Sequence, residues 1–278
     1  MTLEPTQREM ISALQWYADH GVSDIVLDEP VNRFAEPKSV PSIASTVTQT
    51  DHQAQQQPAQ TFLGKSDAYD EAIKLAKSAT SLEDLSQAIS DFDGIALKKT
   101  ASNMVFADGN PKASIMIIGE APEADEDRLG KPFVGASGQL LDKILSCINL
   151  DRNAEKAEES VYISNILNWR PPGNRTPSPA EIEVSLPFIE RHIQLVKPKI
   201  LVFCGGVAAK SLLQRSESIS RLRKVWHEYL PQTPDLEENS EKILALATYH
   251  PSYLLRTPVQ KKLVWEDMQN LQKQYISL

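Results

Sequence analysis

Cysteine is scarce: the 278 residues hold two, Cys147 and Cys204. Two thiols in separate apolar segments cannot frame a disulfide scaffold, and they are expected as reduced, buried side chains. No apolar run approaches the roughly 20 residues that a membrane span requires. The N-terminus lacks the basic-then-apolar layout of a leader peptide. These absences lead to the expectation of a soluble, cytoplasmic protein with no membrane partner. Positive charge is also in deficit, with 29 Lys+Arg against 37 Asp+Glu and a net charge of −8. That total excludes a general nucleic-acid coat but leaves room for a local basic groove. Glycine is missing altogether from residues 34–62, where Pro, Ser, Thr and the run Gln55-Gln56-Gln57 stand without apolar period. Such a stretch cannot bury enough surface to offset its ordering entropy.

The composition therefore divides the chain into three parts: an N-terminal helical segment (1–33), a disordered linker (34–65) and a folded domain (66–278). In the first, Met10, Ile11, Leu14, Tyr17 and Ala18 share a helical face and Gly21 supplies a stop. This helix either packs back onto the domain or serves as a tethered docking helix for a protein partner.

In the domain, apolar runs alternate with amphipathic stretches. Strands are expected at 114–118, 161–165, 199–204 and 243–248. Helices are expected over 66–91 (as a pair), from Gly135 onward, over 179–196, after Gly205-Gly206 and over 258–274. Ser81 and Ser178 each precede an acid by three residues, a capping-box pattern. Pro187 predicts a kink. Leu263, Trp265, Met268 and Leu271 are candidate core contacts of the last helix. Alternation of this kind specifies an α/β fold, a three-layer α/β/α sandwich around a four-stranded, mainly parallel sheet.

Ligands of such sheets bind beyond the carboxyl ends of the strands. Three polar residues of different kinds stand there. Glu120 follows the first strand, Asn165 closes the second and His250 follows the fourth. Phe133 lies in the loop after the first. Arg170, Arg175, Arg221, Arg223, Lys224, Arg256, Lys261 and Lys262 flank these ends and form a candidate phosphate-binding groove.

Gly119-Glu-Ala-Pro122, Pro132-Phe-Val-Gly135, Ser164-Asn165 with Arg170-Pro-Pro-Gly-Asn-Arg175, and His250-Pro-Ser252 resemble motifs of the uracil-DNA glycosylase superfamily, in particular its family 4. The resemblance covers roughly residues 92–275. It implies an enzyme that hydrolyses the N-glycosidic bond of uracil in DNA, the first step of base-excision DNA repair. It also implies roles by position. Glu120 positions water and His250 supports the uracil oxygen that gains charge. Phe133 stacks on the extruded base, Asn165 reads its edge, and Glu126 matches a further substrate-site position. Arg170, Arg175, Ser137, Ser252, Tyr253, Leu254 and Arg256 are the candidate DNA contacts. Tyr253, Leu254 and Leu255 are alternatives for a wedge into the gap left by the base, or else pack at a helix start.

Two departures stand out. The family usually holds a [4Fe–4S] cluster through four cysteines. The matching positions here are Phe92, Ile95, Trp169 and Ser185, and ligation needs thiolates. The expectation is therefore no cluster and no other cofactor. Secondly, Glu123 stands where the family usually has glycine, adding a side chain and a negative charge near the substrate. This departure sustains the alternative of a non-catalytic DNA-binding or damage-recognition protein on the same fold.

Overall fold

A computed structural model describes residues 65–234, 236 and 241–277. The expected N-terminal helix, and the linker up to residue 64, lie outside the described residues. The described chain begins with α1 (Lys65–Ser78) and α2 (Leu82–Asp91). The predicted box forms at the start of α2: the Asp84 N–H donates to Ser81 Oγ at 3.0 Å, and the Ser81 N–H donates to Asp84 Oδ2 at 3.1 Å. Such a cap is worth about 1 kcal/mol. There follow β1 (Asp108–Gly109), β2 (Ile115–Gly119), α3 (Ala124–Leu129), α4 (Ala136–Ser146) and β3 (Tyr162–Asn165). Then come α5 (Pro179–Val196), β4 (Ile200–Cys204), α6 (Gly206–Leu213), α7 (Ile219–Leu222), β5 (Trp226–Tyr229), β6 (Ile243–Thr248), α8 (Pro251–Arg256) and α9 (Lys261–Ile276).

The sheet has six strands in the order β1-β3-β2-β4-β6-β5. The four expected strands are its middle and run parallel. The two additional strands are antiparallel edges. Each escapes a reading by apolar period: β1 has two residues, and in Trp226-His-Glu-Tyr229 the polar pair His227-Glu228 separates the two aromatic residues, of which only Tyr229 is fully buried. In the middle strands every second residue faces the same layer. Met116, Ile118, Leu201 and Phe203 join the core beneath α1, α2, α5 and α6. Ile115, Ile117, Val202 and Cys204 join the opposite core, beneath α4 and α9.

Two expectations need correction. Cys147 is exposed, because it caps the end of α4 instead of pointing inward. Trp265 is 43% exposed, and Val264 takes the core position, one step round α9. The helix α5 continues through Pro187 as a single element.

The chain leaves β2 for β3 on one side, then returns past it to β4 and β6 on the other. The order reverses at β2. Loops leaving the carboxyl ends on either side diverge there and open a crevice.

Candidate active site

The carboxyl ends of β2 and β3 are in register, with Gly119 beside Asn165. The pairing runs on past the strands: Ile166 N–H donates to Gly119 O at 3.0 Å and Leu167 N–H to Glu120 O at 3.1 Å. The peptide of Glu120 is thus tied to the segment that carries Asn165. Gly119 has no side chain for a steric reason. A Cβ there would lie 2.2 Å from Asn165 Oδ1 and 2.6 Å from Phe133 Cζ. Phe133 takes the left-handed conformation, φ 52°, which turns its ring back toward the strand ends. Its ring lies 5.3 Å from that of His250, centroid to centroid, at an angle of 32°. Gly205 (φ +100°) follows β4 and packs against His250 from the other side; a Cβ there would lie 3.2 Å from that of the histidine.

Asn165, Phe133 and His250 line one recess together with Ala121, Glu123, Glu126 and Ser137. It holds about 10 Å³, room for about one water. Beside it lies a cleft of about 410 Å³. Ala121, Glu123 and His250 border both. Glu120 lines the cleft, with Arg175, Lys210, Ser252, Tyr253 and Arg256 among the remaining walls.

The electrostatics of the two candidate chemical groups are opposed. Burial, then the neighbouring Glu123 carboxylate, raises the pKa of Glu120. Burial, then the Arg256 charge, lowers that of His250 to about 4. The imidazole is therefore neutral near pH 7. His250 caps α8, with Ser252 N–H donating to its Nδ1 at 3.2 Å. A backbone N–H can only donate, so Nδ1 is an acceptor and the ring proton sits on Nε2. Ser252 Oγ, 2.8 Å from Nδ1, holds the same edge. Glu123 is also raised, by burial first and the Glu126 carboxylate second, while Arg256 and Arg170 act against this.

The other site candidates divide between the recess, the cleft and positions outside both. Glu126 is buried, and its carboxylate accepts from the Glu123 N–H at 2.6 Å and the Gly135 N–H at 3.4 Å. It fastens the loop after β2 to the start of α4 while still lining the recess. Ser137 is buried in the recess and is not on the outer surface. Leu254 is fully buried, so it cannot be a wedge; α8 turns this residue into the core and leaves Leu255 45% exposed. Arg170 donates to Asn174 Oδ1 at 2.7 Å and does not border the cleft. Arg175 borders the cleft with its guanidinium paired to both oxygens of Glu181, at 2.8 and 2.6 Å. Arg223 does not belong to a groove: it is buried against Asp267 at 2.7 Å. Lys210 is in the cleft wall and was not anticipated, although it follows the end of β4 by little more than one helical turn.

The four positions at which the resemblance places cluster thiolates do not fit that group. Phe92, Ile95 and Trp169 belong to one apolar core, and Phe92 meets Phe188 edge-on at 5.2 Å. Ser185 is buried, its hydroxyl donating to Glu181 O at 2.8 Å. The indole Nε1 of Trp169 is buried without a hydrogen-bond partner. Among the described residues, no group of three or more His, Cys, Asp or Glu is placed to hold a metal ion. No helix among them is long and apolar enough to cross a membrane.

The chain is similar to several proteins named type-4 uracil-DNA glycosylase. The one from Archaeoglobus fulgidus is 37% identical over 183 residues, which is 64% of this chain and 85% of that protein. The one from Pyrobaculum aerophilum is 35% identical over 181 residues, 64% of this chain and 86% of that protein. The one from Thermotoga maritima is 31% identical over 191 residues, 68% of this chain and 91% of that protein. A family model described as the uracil DNA glycosylase superfamily matches residues 106–269, from just before β1 into α9. These residues hold every strand of the sheet and both sides of the recess, and the chain belongs to the uracil DNA glycosylase superfamily.

Proposed function

We propose that this protein hydrolyses the N-glycosidic bond of uracil in DNA and leaves an abasic site. The observation that carries the reading is the convergence of Asn165, Phe133 and His250 on one recess, beside a cleft that holds Glu120 and three basic side chains. The base must leave the helical stack to be reached. Arg175, Lys210 and Arg256 attract the DNA backbone, and the exposed Leu255 fills the gap left by the extruded nucleotide. Inside the recess, uracil presents an N3–H donor and an O4 acceptor. The Asn165 amide offers the matching acceptor and donor, and the Phe133 ring covers the base face. Cytosine reverses both polar groups and would leave two unpaired contacts, a discrimination of roughly 10⁴.

Bond cleavage gives a cation-like sugar and a uracil anion. Glu120 as carboxylate orients water and stabilises the first. The Nε2–H of His250 donates to the oxygen where the anion's charge develops. A neutral imidazole suits this task. It needs to donate a hydrogen bond and not to surrender a proton.

Replacement of Asn165 by alanine tests the assignment. The expected result is loss of uracil release from a uracil-containing oligonucleotide, read by alkaline strand cleavage, with an unchanged circular dichroism spectrum. Unaltered release would remove Asn165 from the site. The same assay addresses a second reading, which Glu123 favours because it borders both recess and cleft and the recess holds little more than one water. Tight binding of uracil-containing DNA without turnover by the intact chain would make it a damage-recognition protein.

We also propose that the domain folds without an iron–sulfur cluster, apolar packing of Phe92, Ile95 and Trp169 occupying the corresponding region. Iron determination on anaerobically prepared protein checks this. Far less than one iron per chain is expected, and four per chain would refute it.

A further inference from the structure

Arg152 stands in the loop between α4 and β3, outside the recess and the cleft, and only 7% of it is exposed. Its guanidinium reaches back across some twenty residues of chain. Nη1 donates to Pro132 O at 2.9 Å and Nη2 to Phe133 O at 2.9 Å. The same group is held from behind: Nε donates to Asp142 Oδ1 at 2.8 Å, and Nη1 lies 3.4 Å from Asp108 Oδ2. A buried, doubly anchored guanidinium spanning two successive carbonyls fixes the orientation of both peptides. The second of those carbonyls belongs to the residue whose backbone is left-handed. That conformation is unfavourable for a residue with a Cβ and persists only where its surroundings hold it. Gly138 closes the other side; a Cβ there would lie 1.8 Å from Phe133 O.

We infer that Arg152 is a positioning residue for base stacking: its fork on the Pro132 and Phe133 carbonyls keeps the Phe133 ring in the recess beside His250. The catalytic part of this inference rests on the uracil-releasing function proposed above. Lysine at this position retains the charge but concentrates its donors on one nitrogen, so it cannot span both carbonyls while facing two carboxylates. The ring is then free to leave the recess, and misplacement of a contact by about 1 Å costs up to roughly a hundredfold in rate.

The test is a double-mutant cycle on the full chain. Arg152→Lys is expected to lower kcat/KM roughly tenfold to a hundredfold. In a Phe133→Leu background the same substitution is expected to cost little more, because the group it acts through is already gone. Equal losses in both backgrounds would overturn the inference. If Arg152→Lys does not fold, Asp142→Asn is used; it removes the anchor from a half-exposed position and is expected to show a smaller loss with the same dependence on Phe133. A second readout does not depend on activity. The nuclear Overhauser contact between the Phe133 and His250 rings is expected in the wild type and lost in Arg152→Lys; its retention overturns the inference. If the wild-type chain releases no uracil, the proposed function fails and this spectroscopic arm alone decides the role of Arg152.

Discussion

Glu120 and His250 border the same cleft, yet burial moves them in opposite directions, because each is displaced toward its uncharged form. For Glu120 this means a higher pKa than an ordinary glutamate, reinforced by Glu123; for His250 it means about 4. As the pH falls from neutrality, Glu120 therefore takes up a proton earlier than an ordinary glutamate would. In the mechanism proposed above the carboxylate is the working form, so its protonation is expected to set the acid limb of kcat/KM. Glu120→Gln is expected to lower the plateau roughly 10²–10⁴-fold, the usual worth of such a group, and to abolish the limb. Glu123→Gln removes the neighbouring negative charge, so the limb persists but moves to lower pH. Rate profiles on a uracil oligonucleotide from pH 4 to 8 check both. A limb that ignores Glu123 would mean that the two carboxylates do not sense one another.

At the scale of elements, the convergence of polar side chains at strand ends was legible because the sheet rule converts sequence order into space. A run of buried residues followed by a turn marks where a side chain will emerge, and Glu120, Asn165 and His250 emerge there. The six-residue helix α8 shows what the rule leaves out. Leu254 and Leu255 are equally apolar in sequence, and only packing against the core buries the first and exposes the second. Arg152 carried no signal at all, since its partners are carbonyls, which every residue has. Glycines were more informative than they looked. Gly119 ends β2 where Asn165 and Phe133 press against the backbone, so Gly119→Ala transmits a clash into both. Overpacking of this kind typically costs about 1–3 kcal/mol. The expected outcome is a Tm lowered by a few degrees together with loss of most uracil release. A variant with full activity would show that the recess has more freedom than the close approach at Gly119 implies.

At the scale of the whole molecule, two of the described histidines stay neutral, His192 in the core and His250 at the cleft, which gives the domain a defined response to acid. His192 on α5 is 1% exposed, stacked 4.4 Å from Phe106 with its Nε2 2.9 Å from Tyr162 OH. Burial lowers its pKa to about 3, as it lowers that of His250 to about 4. In the unfolded chain both return to about 6.5. Between pH 6.5 and their folded values the unfolded state binds protons that the native state refuses. The stability these groups confer is therefore complete above pH 6.5 and is lost as the pH falls toward 4 and then 3. Glu181, lowered to about 2 chiefly by its hydrogen bond with Arg175, acts in the same sense but only below about 4.5. One fully neutral histidine contributes a slope of at most about 1.4 kcal/mol per pH unit. His192→Gln offers Tyr162 a partner that does not titrate in this interval. It is expected to lower stability at pH 7.5 by about 1–2 kcal/mol through lost stacking, yet to flatten the dependence between pH 6 and 4 by up to one proton's worth. Urea unfolding at half-unit steps of pH reads both quantities. An unchanged slope would mean that His192 gains its proton in the folded state at an ordinary pH, and that the interface between α5 and β3 admits water.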